Sequence, residues 1–317
     1  MSLRCLTFGR RAQYARHLTQ GDHRWDVVCD DPEALREPWL TVRRFAPGAR
    51  VVGLTAARRL LARGAYDVVV AHDLFELAEV AGVPTVTVFH APKAIEVACG
   101  ADRAALEKMA REASARGAAV FTAEDVRQSW GVEGTVIPPA VDPDDYGLYT
   151  GDLPRVLVAS DFEGARALVM GRPSVEDALD GLPVTLMGVN PGSAVGWTPR
   201  NTAERRAAYR RHRVFVNLMS PHECGCPLAL LEAMAAGMPI VTLTHPFTPI
   251  AHGATGLVGS TSAAVREHIL ELLEDRELAL ALGRAARQAA VDGFAPAAFR
   301  AAWQQVLGRG SLEGVGA

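Results

Sequence analysis

What most limits the folds open to this chain is a repeated alternation between short β-branched or apolar runs and helix-length stretches. Val68–Ala71 reads VVVA and Pro84–Phe89 reads PTVTVF, each flanked by longer segments rich in Ala, Leu and Arg. Runs of this length without a consistently polar face suit strands covered on both sides, and the intervening helices supply the cover. In the first half the pattern predicts strands over Leu3–Phe8, Asp26–Cys29, Val42–Arg44, Asp67–Ala71, Pro84–Phe89, Ala119–Phe121 and Thr135–Ile137. It predicts helices over Arg10–Leu18, Leu54–Arg63, Leu74–Val80, Arg103–Arg116 and Ala123–Trp130.

The alternation then breaks. Residues 138–145, PPAVDPDD, carry three prolines and no period, which reads as a linker. A second series follows, with strands over Arg155–Ala159, Val184–Met187, Val214–Asn217 and Pro239–Leu243. Its helices are Thr202–Arg211, Pro227–Ala236, Ala263–Glu274, Arg276–Val291 and Pro296–Leu307, before a tail, Gly308–Ala317, with little to bury. Pro227 at the first turn and Gly237 just past the end bound the second of these helices. The expected fold class is α/β: two doubly wound, Rossmann-like units, whose ligands sit outside the carboxyl ends of the strands.

Composition removes several functions. With a net charge of −3 the chain has no general attraction to nucleic acid. No apolar run approaches the roughly 18 residues of a membrane span. The start, MSLRCLTFGRR, places arginines after the apolar run, the reverse of a signal peptide. A cytoplasmic protein with no transmembrane segment is expected. Only Lys93 and Lys108 are lysines among 33 basic residues, so any phosphate would be met by Arg or by backbone N–H groups. Cys5, Cys29, Cys99, Cys224 and Cys226 fit neither a disulfide framework nor a zinc site, and no metal is expected.

Four segments then resemble the family-4-type retaining glycosyltransferases of the GT-B fold. The main one is residues 214–243, VFVNLMSPHECGCPLALLEAMAAGMPIVTL, above all Pro227 to Pro239. The others are Val136–Asp142, Pro249–Val258 and the spaced aromatics Phe294, Phe299 and Trp303. The resemblance is close from about residue 135 to 305 and loose before that. It implies two domains facing across a cleft: an acceptor-side domain over 1–140, a donor domain over 141–293, and a crossover helix and tail over 294–317 that return to the first.

What the resemblance implies for the site agrees with elementary electrostatics. A nucleotide sugar carries a diphosphate, and a helix N-terminus offers unpaired N–H groups at a positive dipole end. Cys224, Gly225, Cys226, Pro227, Leu228 and Ala229 would form that donor-binding turn. Glu232 would accept the ribose hydroxyls; read alone, it is an ordinary first-turn acid. The family's second carboxylate falls eight residues before Glu232, which here is Cys224. Either Glu223 substitutes through a loop one residue longer, contacting the donor sugar as part of the catalytic set, or that carboxylate is absent. Arg166 and then Arg172 are the candidates for the phosphate cations, or lie on a solvated helix face. Asn190 meets the base or ribose, or serves as the turn residue before Pro191.

In the first domain His72 and His90 end apolar strands. The resemblance puts His90 near the donor sugar as a catalytic residue, with Lys93 close by. Gly9 and Arg10 follow the first strand, where the fold places its acceptor loop. The implied reaction is sugar transfer from a nucleotide sugar to an unidentified acceptor, retaining anomeric configuration, without metal or cofactor. The alternatives are an inactive sugar-nucleotide-binding homologue, suggested by Cys224, and a GT-B enzyme that epimerises or hydrolyses a nucleotide sugar.

Overall fold

A computed structural model of the chain describes residues 2–9, 12–29, 48–80, 82–160, 177–190, 192–217 and 224–310. The chain divides into two compact units. One comprises Met1–Lys93, Gly100–Ala140 and Pro296–Ala317; the other comprises Ala94–Cys99 and Val141–Ala295.

The first unit holds a seven-stranded sheet, parallel throughout: β1 (Arg4–Phe8), β2 (Arg24–Val28), β3 (Arg50–Val52), β4 (Val68–Ala71), β5 (Thr85–Phe89), β6 (Ala119–Phe121) and β7 (Thr135–Val136). Their spatial order is β3-β2-β1-β4-β5-β6-β7. Its helices are α1 (Ala12–Leu18), α2 (Leu54–Leu61), α3 (Leu74–Glu79), α5 (Arg103–Ala115) and α6 (Glu124–Trp130); α4 (Lys93–Ala98) carries the chain to the second unit. Strand alternation feeds two cores. Val68 and Val70 pack with Tyr14, Val86 and Val88, whereas Val69 packs with Leu6, Phe8 and Val80 on the other face. Burial on both faces is why β4 reads as an unbroken apolar run.

The second unit has a six-stranded parallel sheet ordered β10-β9-β8-β11-β12-β13. The strands are β8 (Leu153–Ala159), β9 (Val184–Met187), β10 (Gly196–Trp197), β11 (His212–Asn217), β12 (Ile240–Leu243) and β13 (Leu257–Gly259). Its helices are α7 (Thr202–Arg211), α8 (Leu228–Ala236), α9 (Ser262–Glu274) and α10 (Arg276–Gly293). Val156, Val158, Val214, Val216 and Val241 pack with Val265, Ile269 and Leu272 as its core. Gly237 takes φ +79° to end α8, and α10 crosses so close there that a Cβ on Gly283 would sit 3.0 Å from the Gly237 carbonyl carbon.

The last helix, α11 (Pro296–Gly310), belongs to the first unit. Phe299, Trp303, Val306 and Leu307 join the core of Tyr14, Val70 and Val88, and Trp303 Nε1–H donates to the Tyr14 hydroxyl at 3.2 Å. The expected Val42–Arg44 strand lies outside the described residues, as does the end of the tail. β3, β10 and α4 were not expected; each has six residues or fewer, too short to show a period.

Candidate active site

The two histidines of the first unit meet at the carboxyl edge of its sheet. Thr7 in β1, His72 just after β4 and His90 just after β5 come from three neighbouring strands. His72 Nδ1 lies 2.8 Å from His90 Nε2, and His72 Nε2 lies 3.0 Å from Thr7 Oγ1. The Thr7 hydroxyl also reaches the Val70 carbonyl at 3.1 Å. Asp73 and Glu76 open α3 as a capping pair: Asp73 Oδ1 accepts the Glu76 N–H at 2.9 Å, while Glu76 Oε2 accepts the His72 N–H at 2.5 Å. Tyr14 stands edge-on to both imidazoles, with centroids 5.9 Å from His72 and 5.0 Å from His90.

The remaining first-unit candidates have local tasks. Lys93 Nζ donates to Glu107 at 3.2 Å, and its backbone N–H donates to Ser129 Oγ at 3.1 Å. Gly9 lies against the end of β2, where a Cβ would come within 3.1 Å of the Val28 carbonyl oxygen. Arg10 is outside the described residues.

In the second unit, the turn at 224–227 leads into α8 at the carboxyl end of β11. Cys224 is buried, and its Sγ accepts the Cys226 N–H at 3.4 Å, tying the turn to itself. Gly225 has no room for a side chain: a Cβ there would lie 2.8 Å from the Phe247 carbonyl carbon and closer still to the His245 ring. Pro227 is the N-cap of α8 and gives no side-chain cap. Among the described residues no group accepts the N–H of Leu228 or of Ala229. The start of α8 therefore keeps the unpaired donors and positive dipole end that suit an anion. Asn190 Nδ2 donates to the Ser160 carbonyl at 2.9 Å, joining the ends of β8 and β9. Arg166, Arg172 and Glu223 lie outside the described residues.

Glu232 is 3% exposed, and its carboxylate has partners within its own unit. Tyr146 Oη donates at 2.9 Å, Tyr209 Oη donates at 3.0 Å, and Arg205 forms an ion pair. Arg205 and Tyr209 sit four residues apart on α7, so one helix face supplies both. Sequence reasoning missed Arg205, Tyr209 and Tyr146. The available signal was an Arg and a Tyr at i, i+4 in a helix whose other apolar residues are all alanines. It also missed Thr7, a lone polar residue in the apolar run of β1, and Tyr14.

A cavity of about 470 Å³ lies elsewhere, at the amino ends of β8, β9 and β11, lined by Arg155, Trp197, Arg211 and His212 among others. Several of its polar groups are engaged internally. Arg155 donates to the Val184 carbonyl, Arg211 pairs with Asp152, and His212 spans Ala208 and Thr185. Burial lowers the His212 pKa from its usual 6.5, keeping the ring neutral. No helix among the described residues is long and apolar enough to cross a membrane.

Two parallel α/β units, with the last helix of the chain grouped with the first, are the architecture of the GT-B fold. Family models agree: "Glycosyltransferase Family 4" matches residues 12–145 and "Glycosyl transferases group 1" matches residues 148–275. The chain belongs to the group 1 glycosyltransferases, of family-4 type. No curated protein matches the sequence. Among solved structures, the Anabaena protein HepE in complex with UDP-glucose is similar at TM-score 0.73 and 14% identity, over 96% of this chain and 99% of that one. Sucrose-phosphate synthase from Thermosynechococcus elongatus is similar at TM-score 0.72 and 15% identity, over 96% and 98%. A Rickettsia africae glycosyltransferase gives TM-score 0.68 at 10% identity, over 98% and 99%.

Proposed function

We propose that the chain moves a hexosyl group from a uridine-diphosphate sugar to an acceptor hydroxyl, in the cytoplasm, retaining the anomeric configuration and using no metal ion. The observation that carries this reading is the uncapped start of α8 at the carboxyl edge of the second sheet, with the N–H groups of Leu228 and Ala229 available to a diphosphate. HepE, the similar protein, was captured with UDP-glucose, which makes that donor the first to test. In the reaction the bond from the anomeric carbon to the diphosphate oxygen breaks, a bond to the acceptor oxygen forms, and the acceptor proton leaves. Backbone N–H groups, with Arg166 and Arg172, take up the charge growing on the leaving diphosphate. We assign His90 to the donor sugar, as the family resemblance implies. Asn190 serves the edge as the link between β8 and β9, and Gly9, Arg10, His72 and Lys93 belong to the acceptor side. Cys224, Gly225, Cys226 and Pro227 shape the turn, and Glu223 supplies the sugar-facing carboxylate.

The test is thermal stability against UDP, GDP, TDP and ADP, followed by release of UDP from UDP-glucose with an acceptor panel. UDP at 100 times its dissociation constant is expected to add about 2.7 kcal/mol to stability. NMR of the product's anomeric proton checks retention. No stabilisation by any nucleotide at millimolar concentration overturns the donor-site reading. A second reading, a binding homologue without turnover, is favoured by one observation: Cys224, tied into its own turn, stands where the family has a carboxylate. Nucleotide binding with no transfer and no UDP release selects it.

A further inference from the structure

We propose that His72 is the positioning residue for His90, accepting its Nε2–H and so holding it in the tautomer whose lone pair is on Nδ1. The consequence for the site rests on the reading that His90 faces the donor sugar; the tautomer itself does not.

The argument is a count of protons along Thr7, His72 and His90. With both imidazoles neutral, the chain of contacts at 3.0 and 2.8 Å allows two polarities. In one, the Thr7 hydroxyl donates to His72 Nε2, His72 Nδ1–H donates to His90 Nε2, and His90 carries its proton on Nδ1. In the other, His72 Nε2–H donates to Thr7 Oγ1, and His90 Nε2–H donates to His72 Nδ1. The Thr7 hydroxyl has one proton. Only the second polarity leaves that proton for the Val70 carbonyl, 3.1 Å away; the first sets two oxygens facing each other there with no hydrogen between them. The fixed end of the relay is thus a backbone carbonyl in the middle of a sheet, which cannot reverse its role.

The surroundings hold the His72 ring in place. Its backbone N–H is taken by Glu76, whose own N–H is taken by Asp73. Tyr14 abuts both imidazoles edge-on, and its hydroxyl is held by Trp303 Nε1–H. Turning the His72 ring over would swap each nitrogen for a carbon and break the bonds to Thr7 and His90 together. The hydrogen bond made by one imidazole nitrogen decides the state of the other. The neutral His90 ring so held carries its proton on Nε2 and its lone pair on Nδ1. Protonation at Nδ1 would strengthen the bond to His72 by making it charge-assisted.

The experiment is long-range proton–nitrogen NMR of the uniformly nitrogen-15-labelled full chain in mildly alkaline buffer, with His90→Ala used to assign the His90 signals. The wild type is expected to show His90 as a single Nε2–H tautomer. His72→Phe keeps the ring volume and removes the acceptor, and is expected to abolish the single tautomer and give averaged nitrogen shifts. His72→Asn returns an acceptor oxygen near the position of Nδ1 and is expected to restore it. Thr7→Val, which removes the relay's fixed end, is expected to weaken the bias, and it serves if His72→Phe does not fold. A wild-type His90 protonated on Nδ1, or a tautomer indifferent to both His72→Phe and Thr7→Val, overturns the proposal. The donor-facing reading fails separately: His90→Ala would then leave UDP release from UDP-glucose unchanged, whatever the tautomer.

Discussion

Substituting Glu232 by Ala should unfold the second unit more readily before it says anything about ribose. The carboxylate is buried with Arg205, whose side chain is 10% exposed, and it accepts from two tyrosine hydroxyls. Removing one member of a buried ion pair strands the other charge, at a cost of about 3–5 kcal/mol. A unit of this size loses roughly 2–4 °C of melting temperature per kcal/mol, so the expected fall is about 6–20 °C. Arg205→Met should cost a similar amount, by stranding the carboxylate. The double variant Glu232→Ala with Arg205→Met removes both charges, so it should be less destabilised than the two singles added together. Circular dichroism melts of the four proteins, with and without UDP, decide the matter. Strict additivity refutes the ion-pair argument. A Glu232→Ala protein that melts like the wild type yet gains nothing from UDP refutes it more deeply, because the carboxylate would then serve the ribose and not the core.

Other outcomes follow from the same geometry. Gly225→Ala drives a Cβ into the His245–Phe247 segment, and overpacking of this kind costs about 1–3 kcal/mol; the melting temperature should fall, and UDP should stabilise the variant less than the wild type. His212 is held neutral by burial, with its pKa below 6.5, so the unfolded chain binds the proton more readily. Its contribution is full above pH 6.5 and is lost as pH falls through the depressed folded value, and denaturant unfolding of His212→Gln should lack that component. Trp303→Ala empties a site 2% exposed in the first unit's core and removes the donor to Tyr14, for an expected loss of about 3–5 kcal/mol, measured by urea titration.

The architecture was legible because parallel sheets buried on both faces write themselves as β-branched runs. Val68–Ala71 and Val214–Asn217 could scarcely be anything else, and Pro227 with Gly237 bracketed α8. What escaped was short or long-range. β3 is three residues and β10 is two, held in place by pairing to neighbours and not by any pattern of their own. Glu232 was read from the segment around it, and that segment says nothing of Arg205 or Tyr146, which arrive through tertiary folding. A carboxylate's role is set by what surrounds it, so the same Glu at the same motif position serves a ligand or a core according to residues that no local spacing reveals.

The histidines illustrate the reverse case. Each taken singly directly follows an apolar strand, for which a loop hydrogen bond is explanation enough. The strand order β1-β4-β5 makes neighbours of three segments separated in sequence, so their carboxyl-end residues must share one edge. Once they do, Thr7, His72 and His90 constrain one another's protons in a way that none could alone. The topology also accounts for Trp303. α11 joins the core on the side of Tyr14, and the indole that fills that core also fixes the phenol against which both imidazoles rest. Packing at the far end of the chain and proton placement at the edge of the first sheet are therefore coupled through one buried tyrosine. A substitution that loosens Trp303 should disturb the His90 tautomer as well as stability.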